Sequence, residues 1–551
     1  MKLTGRALIT LRQVAETPGM ARLLRPQFFG DYGVTELLRL PADHRDPAPV
    51  HNAPLRQERR RGWTSLSLPS PEAPPGRSTA AALRAAYQKG ETTPSEVFDR
   101  LVEQIQTHSF GRATHSPFVA LDLETARQAA KESTDRYARG EPRSPLDGIP
   151  VPVKDQHALA GHPVGCGTAY LKDCVDEDAF MIRALKDAGA LVYAKTHTTE
   201  WGMSPTGVAP HLLLPRNVYS SDRGGGGSST GAGVAVALGL APVASGSDGG
   251  GSIRIPAAMS GVFGIKPTWV RIGRSGDSFG ASTVSTVGPL GLTCEDLVDF
   301  LAVTAVDPDP QDPTTAWWPR QRDLASQWRR ALGRGVQGAR IGVPREEWDS
   351  LDSTYAELAM SALKELEADG AELVDLSLPA LQHAQAVGVV SIGSETMGNL
   401  QDDLRRYRDH FSDELRVTLA VLQTLSADEY FAAQRTRAHI KGIVRDALDV
   451  VDVLALPTTA TPAPLYPLSL DGIPYADVHA VRDMTRYTFL ANITGLPAGS
   501  VPLAMLDDLP VGLQFVGGSW DEASVLAVMA HAERQGWTAL PRPQGTFDLL
   551  G

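Results

Sequence analysis

Residues 223–268 read RGGGGSSTGAGVAVALGLAPVASGSDGGGSIRIPAAMSGVFGIKPT. Two glycine-rich loops carrying serines, one running from Gly224 to Ser229 and one from Gly249 to Ser252, flank a run of small apolar residues between Gly231 and Leu240. A flexible Gly/Ser linker would be followed by a break in composition. Here a stretch fit for a buried element follows, and a second Gly/Ser loop closes it. Glycines at this density let backbone N–H groups approach a ligand without a Cβ in the way. Successive N–H groups in a turn form an anion-binding concavity. Serines in such loops suit nucleophiles, with the N–H groups acting as an oxyanion hole.

Three templates compete for the stretch. A P-loop needs G-x-x-x-x-G-K-[ST], and no lysine follows these glycines. A dinucleotide fingerprint needs G-x-G-x-x-G, whereas residues 231–236 read GAGVAV. Residues 227–231 do match G-x-S-x-G with Ser229 at the centre, but a nucleophile elbow follows a strand, and VYSSDRGGG makes a poor one.

The rest of the chain bounds the chemistry. Its 551 residues are 42% hydrophobic and 21% charged, an ordinary globular balance. A net charge of −12 argues against nucleic acid as a partner, since that requires a basic surface. Three cysteines, Cys166, Cys174 and Cys294, make no disulfide framework, so a reducing, cytoplasmic location is expected. The histidines lack metal-ligand spacing, so neither a metal nor another cofactor is implied. No apolar run is long enough for a transmembrane helix. The N-terminal MKLTGRALITLRQVA is a poor signal peptide, because Arg6 interrupts its apolar core.

Residues 1–75 stand apart as a helical extension with a Pro-rich linker, SLPSPEAPPG, at 67–76. Leu3, Ala7, Leu8, Leu11, Val14 and Ala15 fall on one helical face, with Lys2, Arg6 and Arg12 nearby. Such a face lies on a membrane surface, docks on the catalytic body, or meets a second copy of the chain as a homodimer contact. Further on, Thr93, Pro94 and Glu96 mark a capped helix start, and a second helix is expected over residues 123–139. LDGIPVPVKDQ at 146–156 reads as a short strand delivering Lys154 at its end. Residues 178–196 read as helix, glycine stop and strand, a βαβ-like unit that argues for an α/β sheet. Strands are expected at 339–346 and 371–379, with helices over 383–445. No internal repeat is present, so residues 76–551 read as one catalytic domain.

The paired loops resemble the amidase signature family, whose core runs G-G-S-S-x-G, small apolar residues, then (S/T)-D-x-G-G-S-(I/V)-R-x-P. Here the matching residues are GGSSTG at 226–231 and SDGGGSIRIP at 247–256, with G-I-P-x-x-V-K-D at 148–155. Among its branches, the stretch looks most like the fatty acid amide hydrolases, plant type in particular. The resemblance implies an α/β fold with a large mixed central sheet covered by helices on both faces. It implies Ser252 as nucleophile, Lys154 as base and Ser228 as the bridge between them, with a cis peptide bond before Ser228. Oxyanion donors would be the N–H groups of Gly249, Gly250, Gly251 and Ser252, and the 197–207 loop would line the substrate pocket through Gly202 and Met203. Ser229, Ser247, Asp248 and Arg254 are expected to support the loops. The sequence departs from the family pattern at Thr230, where many relatives have glycine, and at Asn217–Val218, where they have N-P.

The activity so implied is hydrolysis of a small-molecule amide through an acyl-enzyme, on fatty acid amides by the branch resemblance. Aryl amides, carbamates and oligoamides are alternative substrates within the family. The ammonia-feeding amidotransferase subunit is another member, and needs partner chains. Outside the family stand an α/β-hydrolase using Ser229 and a non-catalytic binding protein. The last is disfavoured because all three catalytic positions hold the required residue types.

Overall fold

The computed structural model describes residues 2–30, 32–40, 63, 67–69, 77–107, 116–209, 211–278, 283–305, 307–319, 323–349, 351–537 and 539–551. Most of the Pro-rich segment expected at 67–76 lies outside the described residues. Among the described residues, thirteen strands follow in chain order: β1 Lys2–Thr4, β2 Phe118–Leu121, β3 Val153–Lys154, β4 Ala194–Thr196, β5 Val243–Asp248, β6 Phe263–Lys266, β7 Thr286–Gly291, β8 Arg340–Pro344, β9 Glu372–Leu376, β10 Val453–Pro457, β11 Tyr475–Asp477, β12 Ala498–Leu506 and β13 Leu509–Gly517.

Eight of them form one mixed sheet in the order β5-β7-β6-β12-β13-β10-β8-β9. The β10–β8 and β8–β9 pairs are parallel and the others antiparallel. All nine residues of β13 are buried, which explains their near-continuous apolar character: a strand covered on both faces has no polar side to show. The two covers are visible at its glycines. A Cβ at Gly512 would meet Ala258 of helix Arg254–Ser260, and one at Gly517 would meet Val525 of helix Glu522–Arg534. An odd spacing along a strand puts these two positions on opposite faces, so helices sandwich the sheet as expected.

The βαβ unit read at 178–196 is present, but in a sheet of its own. Helix Phe180–Asp187 connects β3 to parallel β4, and β2 completes a three-stranded sheet ordered β2-β4-β3. Two bonds hold this sheet against the large one. Ser245 N–H donates to the Pro152 carbonyl at 3.1 Å, and Lys154 N–H donates to Ser245 Oγ at 3.0 Å. The short strand that carries Lys154 is thereby fixed beside β5, whose end leads into the Gly249 loop.

The N-terminal segment docks on the body. Periodicity puts Leu3 on a helical face, but Lys2–Thr4 is a strand paired with β11, and the helix begins at Gly5. Local periodicity carries no trace of a three-residue ribbon whose partner lies near the other end of the chain. Helix Gly5–Glu16 buries Leu8 and Ala15 and packs on helix Asp413–Leu422. Arg12 reaches Asp413 at 2.5 Å, and Glu16 accepts from Arg416 at 2.5 and 2.8 Å. Helix Ala21–Phe29 follows, with Arg25 paired to Glu429. Of the apolar face read from the sequence, Leu8 and Ala15 turn fully inward, Leu3, Leu11 and Val14 are half-buried, and Ala7 stays exposed.

Candidate active site

Three loops converge where the two sheets meet. Lys154 ends β3, Ser228 and Ser229 precede helix Thr230–Ala237, and residues 249–253 bridge β5 to helix Arg254–Ser260. The Gly227–Ser228 peptide bond is cis, as the resemblance implied. Lys154 is fully buried, and its Nζ lies 2.7 Å from Ser228 Oγ and 2.9 Å from Ser247 Oγ. Ser247 Oγ in turn donates to Gln156 Oε1 at 2.8 Å. The Ser229 N–H donates to the Ser252 carbonyl at 3.2 Å, which ties the two serine loops together.

Burial pushes the Lys154 ammonium down to about 7, against the pull of the Asp248 carboxylate. An ammonium in a low-dielectric site loses its hydration, so the neutral amine gains at its expense. Asp248 behaves in the opposite way. Burial alone would raise it, but the Arg254 guanidinium and hydrogen bonds from Arg254 and Asn492 hold it well below the usual carboxylate range. Its two oxygens accept from Arg254 Nε and Nη2, both at 3.0 Å. Asn492 Nδ2 adds a bond at 2.8 Å, and Arg254 Nη2 also reaches Asn492 Oδ1 at 2.7 Å. Asp248 and Arg254 thus clamp the ends of the Ser252 loop.

One expectation changes. The Gly251 N–H donates to Asp248 Oδ1 at 2.7 Å, so it is engaged within the loop rather than offered to a ligand. Gly251 also has φ +120°, and a Cβ there would strike Thr488, which explains the glycine without any oxyanion role. Thr488 Oγ1 donates to the Gly250 carbonyl at 2.6 Å and fixes that peptide plane. Among the described residues, no internal hydrogen bond engages the N–H of Gly249 or Gly250.

Ser252 is half-buried and lines a cavity of about 150 Å³, together with Gly250, Gly202 and Met203. Gly202 has φ +69°, and a Cβ there would come within 3.2 Å of Ser228 Oγ. The walls are apolar. They include Phe489, Ile392, Val417 and Val421 from the body and Leu3, Leu8 and Leu11 from the N-terminal segment. Ser229, by contrast, is fully buried, and its hydroxyl donates to the Ser247 carbonyl at 3.3 Å. No strand immediately precedes it, so the elbow geometry is missing.

Sequence reading does not single out several of these groups. Gln156 sits two residues beyond Lys154 in the same motif, which is a local signal. Phe489 and Asn492 come from the FLANITGLP region at 489–497, with Thr488 immediately before it; that region matches the family but offers no periodicity that aims a side chain at the Ser252 loop. Among the described residues, no cluster of His, Cys, Asp and Glu could hold a metal ion, and no helix is long and apolar enough to cross a membrane.

A mixed sheet sandwiched by helices, with a buried lysine between two serine loops and an apolar cavity at their mouth, defines a hydrolase of the amidase-signature class. Residues 100–526 match the Amidase family, and the chain belongs to it. A fatty acid amide hydrolase of Medicago truncatula is 32% identical over 473 residues, 85% of this chain and 77% of that protein. A glutamyl-tRNA(Gln) amidotransferase subunit of Halorhodospira halophila is 35% identical, covering 82% of this chain and 95% of that one. Among solved structures, the native peptide amidase of Stenotrophomonas maltophilia superposes with a TM-score of 0.69 at 27% identity, covering 85% of this chain and 98% of that chain. The protein is an amidohydrolase acting on linear amides.

Proposed function

We propose that the protein is a serine amidase that cleaves amides of apolar, long-chain acyl groups, with Ser252 as nucleophile, Ser228 as proton bridge and Lys154 as base. The observation that carries this reading is the 2.7 Å contact between Lys154 Nζ and Ser228 Oγ in a buried site beside Ser252. Neutral Lys154 accepts a proton from Ser228 as Ser228 takes one from Ser252, and the Ser252 oxygen attacks the carbonyl. The N–H groups of Gly249, Gly250 and Ser252 face the charge that develops on the carbonyl oxygen. Collapse of the tetrahedral intermediate expels the amine with the proton returned along the same path, and water then releases the acid. Ser229 and Ser247 keep the bridge and the lysine in place.

The apolar walls favour a long acyl chain, in line with the fatty acid amide hydrolase relatives. The similarity to amidotransferase subunits carries a second reading, ammonia release to a partner chain. The cavity lined by Leu3, Leu8 and Leu11 argues against it, because glutamine is small and polar. In this reading the enzyme is cytoplasmic and meets membranes peripherally through residues 1–75, using the outward side of its N-terminal helices. Leu23 there is 63% exposed and Leu38 45%.

The test is labelling by a fluorophosphonate probe, competed by amides of graded acyl length. Wild type is expected to label, with competition strengthening as the acyl chain lengthens. Ser252→Ala is expected to lose labelling and hydrolysis while its Tm holds. If Ser229→Ala abolishes labelling and Ser252→Ala does not, the assignment fails.

A further inference from the structure

The serine cluster carries a second hydrogen-bond chain, which the proton path from Ser252 to Lys154 does not use. It runs from Lys154 Nζ to Ser247 Oγ at 2.9 Å, and from Ser247 Oγ to Gln156 Oε1 at 2.8 Å. All three side chains are buried. Gln156 stands in the turn directly after β3. Its carbonyl accepts the Ser278 N–H at 2.9 Å, and the His157 N–H beside it donates to the Lys154 carbonyl at 3.0 Å. Its amide packs against Gly202, where a Cβ would come within 3.1 Å of Gln156 Nε2 and 3.2 Å of Ser228 Oγ.

This second chain decides which way the protons point. A neutral lysine amine has two N–H bonds and one lone pair. Three oxygens face it: Ser228 Oγ at 2.7 Å, Ser247 Oγ at 2.9 Å and the Ser247 carbonyl at 3.5 Å. A carbonyl only accepts, whereas a serine hydroxyl has one proton and can donate or accept. With its proton committed to Gln156, Ser247 Oγ can only accept from Lys154. Both N–H bonds of the amine are then engaged by Ser247, and the lone pair is left facing Ser228, the hydroxyl from which it takes a proton. Without an acceptor at position 156, the Ser247 proton is free to turn onto that lone pair and block it.

The titratable groups around Lys154 are engaged elsewhere or neutral. Asp155 follows it in sequence but pairs with Lys195 at 3.0 Å and accepts the Gly167 N–H at 3.2 Å. Asp248 is held by Arg254 and Asn492. His157 pairs with Asp277 at 2.6 Å. Burial keeps the Cys166 thiol protonated.

We propose that Gln156 is a positioning residue that sets the direction of proton transfer, holding the Ser247 hydroxyl as an acceptor so that the Lys154 lone pair stays open to Ser228. This rests on the serine amidase reading given above. Gln156 is not among the residues that line the cavity beside Ser252, so its loss acts on the chemical step and not on substrate binding. Its loss also alters the titration of the lysine. A Ser247 proton turned onto the neutral amine stabilises that form, and Lys154 titrates lower. A carboxylate in place of the amide keeps the acceptor and favours the ammonium, and Lys154 titrates higher.

The experiment measures kcat and KM for decanoyl propylamide across the pH range in wild type, Gln156→Met and Gln156→Glu, with Tm as the check on folding. Gln156→Met is expected to lose about tenfold in kcat, the scale of one misdirected hydrogen bond, with KM within about twofold of wild type. Its acid limb moves down by about half a pH unit, whereas that of Gln156→Glu moves up by about one unit while most of the plateau rate is kept. In a Ser247→Ala background, Gln156→Met changes neither kcat nor the limb, because it acts through that hydroxyl. A limb that stays in place in both variants, a loss carried by KM, or a Gln156→Met loss that adds in full to that of Ser247→Ala overturns the proposal. Carbon-13 NMR of labelled lysine Cε, with the Lys154 signal assigned from Lys154→Ala, reads the same titration without catalysis. If no amide is cleaved yet the midpoints part in these two directions, the catalytic reading fails and the assignment of Gln156 stands. If amides are cleaved and the midpoints coincide, the reverse holds.

Discussion

At the scale of single residues, the proposed chemistry depends on Lys154 being neutral. A free lysine is protonated throughout the physiological range, and in this protein burial brings it down to about 7. The protonated form cannot accept from Ser228, so activity on an uncharged amide is expected to be low at pH 6, to rise through pH 7 and to level off above pH 8. Lys154→Ala removes the base altogether. Its kcat/KM is expected to fall by about 10²–10⁴, the usual contribution of a positioned base, with a smaller deficit at pH 10 where hydroxide partly replaces it. A rate that stays flat from pH 6 to 9, with an unimpaired Lys154→Ala enzyme, would remove the lysine from the mechanism. This residue is legible in the amino-acid sequence alone, because G-I-P-x-x-V-K-D fixes both its type and its place at a strand end. Glu414 is not. It lies among residues 383–445, where the family pattern is weak, and it lines the cavity only because the N-terminal segment and the 200–204 loop fold against its helix.

At the scale of elements, the loop between β5 and helix Arg254–Ser260 is held by a buried pair of side chains. Asp248 and Arg254 are both fully buried, and Asn492 and Gln514 complete their bonds, the latter accepting from Arg254 Nη1 at 2.8 Å. Removing one partner of such a pair leaves the other charge uncompensated, which costs about 3–5 kcal/mol. Arg254→Leu is therefore expected to lose stability of that order in urea denaturation and to lose probe labelling, because the Ser252 loop loses its anchor. A loss below about 1 kcal/mol would show that Asn492 alone satisfies Asp248. The elements themselves are readable wherever periodicity or capping speaks. Helix Pro94–Thr107 starts at the Thr93–Glu96 box, with Glu96 Oε2 accepting the Thr93 N–H at 2.9 Å, and helix Leu123–Ala138 falls where expected. What periodicity misses is pairing at a distance: β1 with β11, and the division of the strands into a large and a small sheet. Neither leaves a local pattern, since both are decided by which chain segments meet after folding.

At the scale of the whole molecule, the N-terminal segment lines the cavity beside Ser252. Leu3, Leu8 and Leu11 line it together with Val417 and Val421, and the segment is pinned by the β1–β11 ribbon and by the Arg12 and Glu16 ion pairs. Deleting residues 1–40 should therefore open one apolar wall while leaving the Lys154–Ser228–Ser252 cluster in place. Each methylene left in water forfeits about 0.8 kcal/mol. A chain that loses contact over two or three carbons then loses about tenfold or more in kcat/KM. Decanoyl amides are expected to suffer that loss, and acetyl amides to stay within about threefold of wild type. A segment that merely stabilised the body would instead lower Tm and harm both substrates alike, and that result would refute the wall assignment. The same deletion tests membrane contact. Intact protein is expected to float with anionic liposomes at low salt and to be released at high salt, since exposed charges are screened within about 10 Å at 0.1 M. The deleted form, without Leu23 and Leu38, is expected to stay with the soluble fraction. If the intact protein fails to float while the selective loss on decanoyl amides persists, the segment serves the cavity alone and the long-chain substrate reaches it from solution.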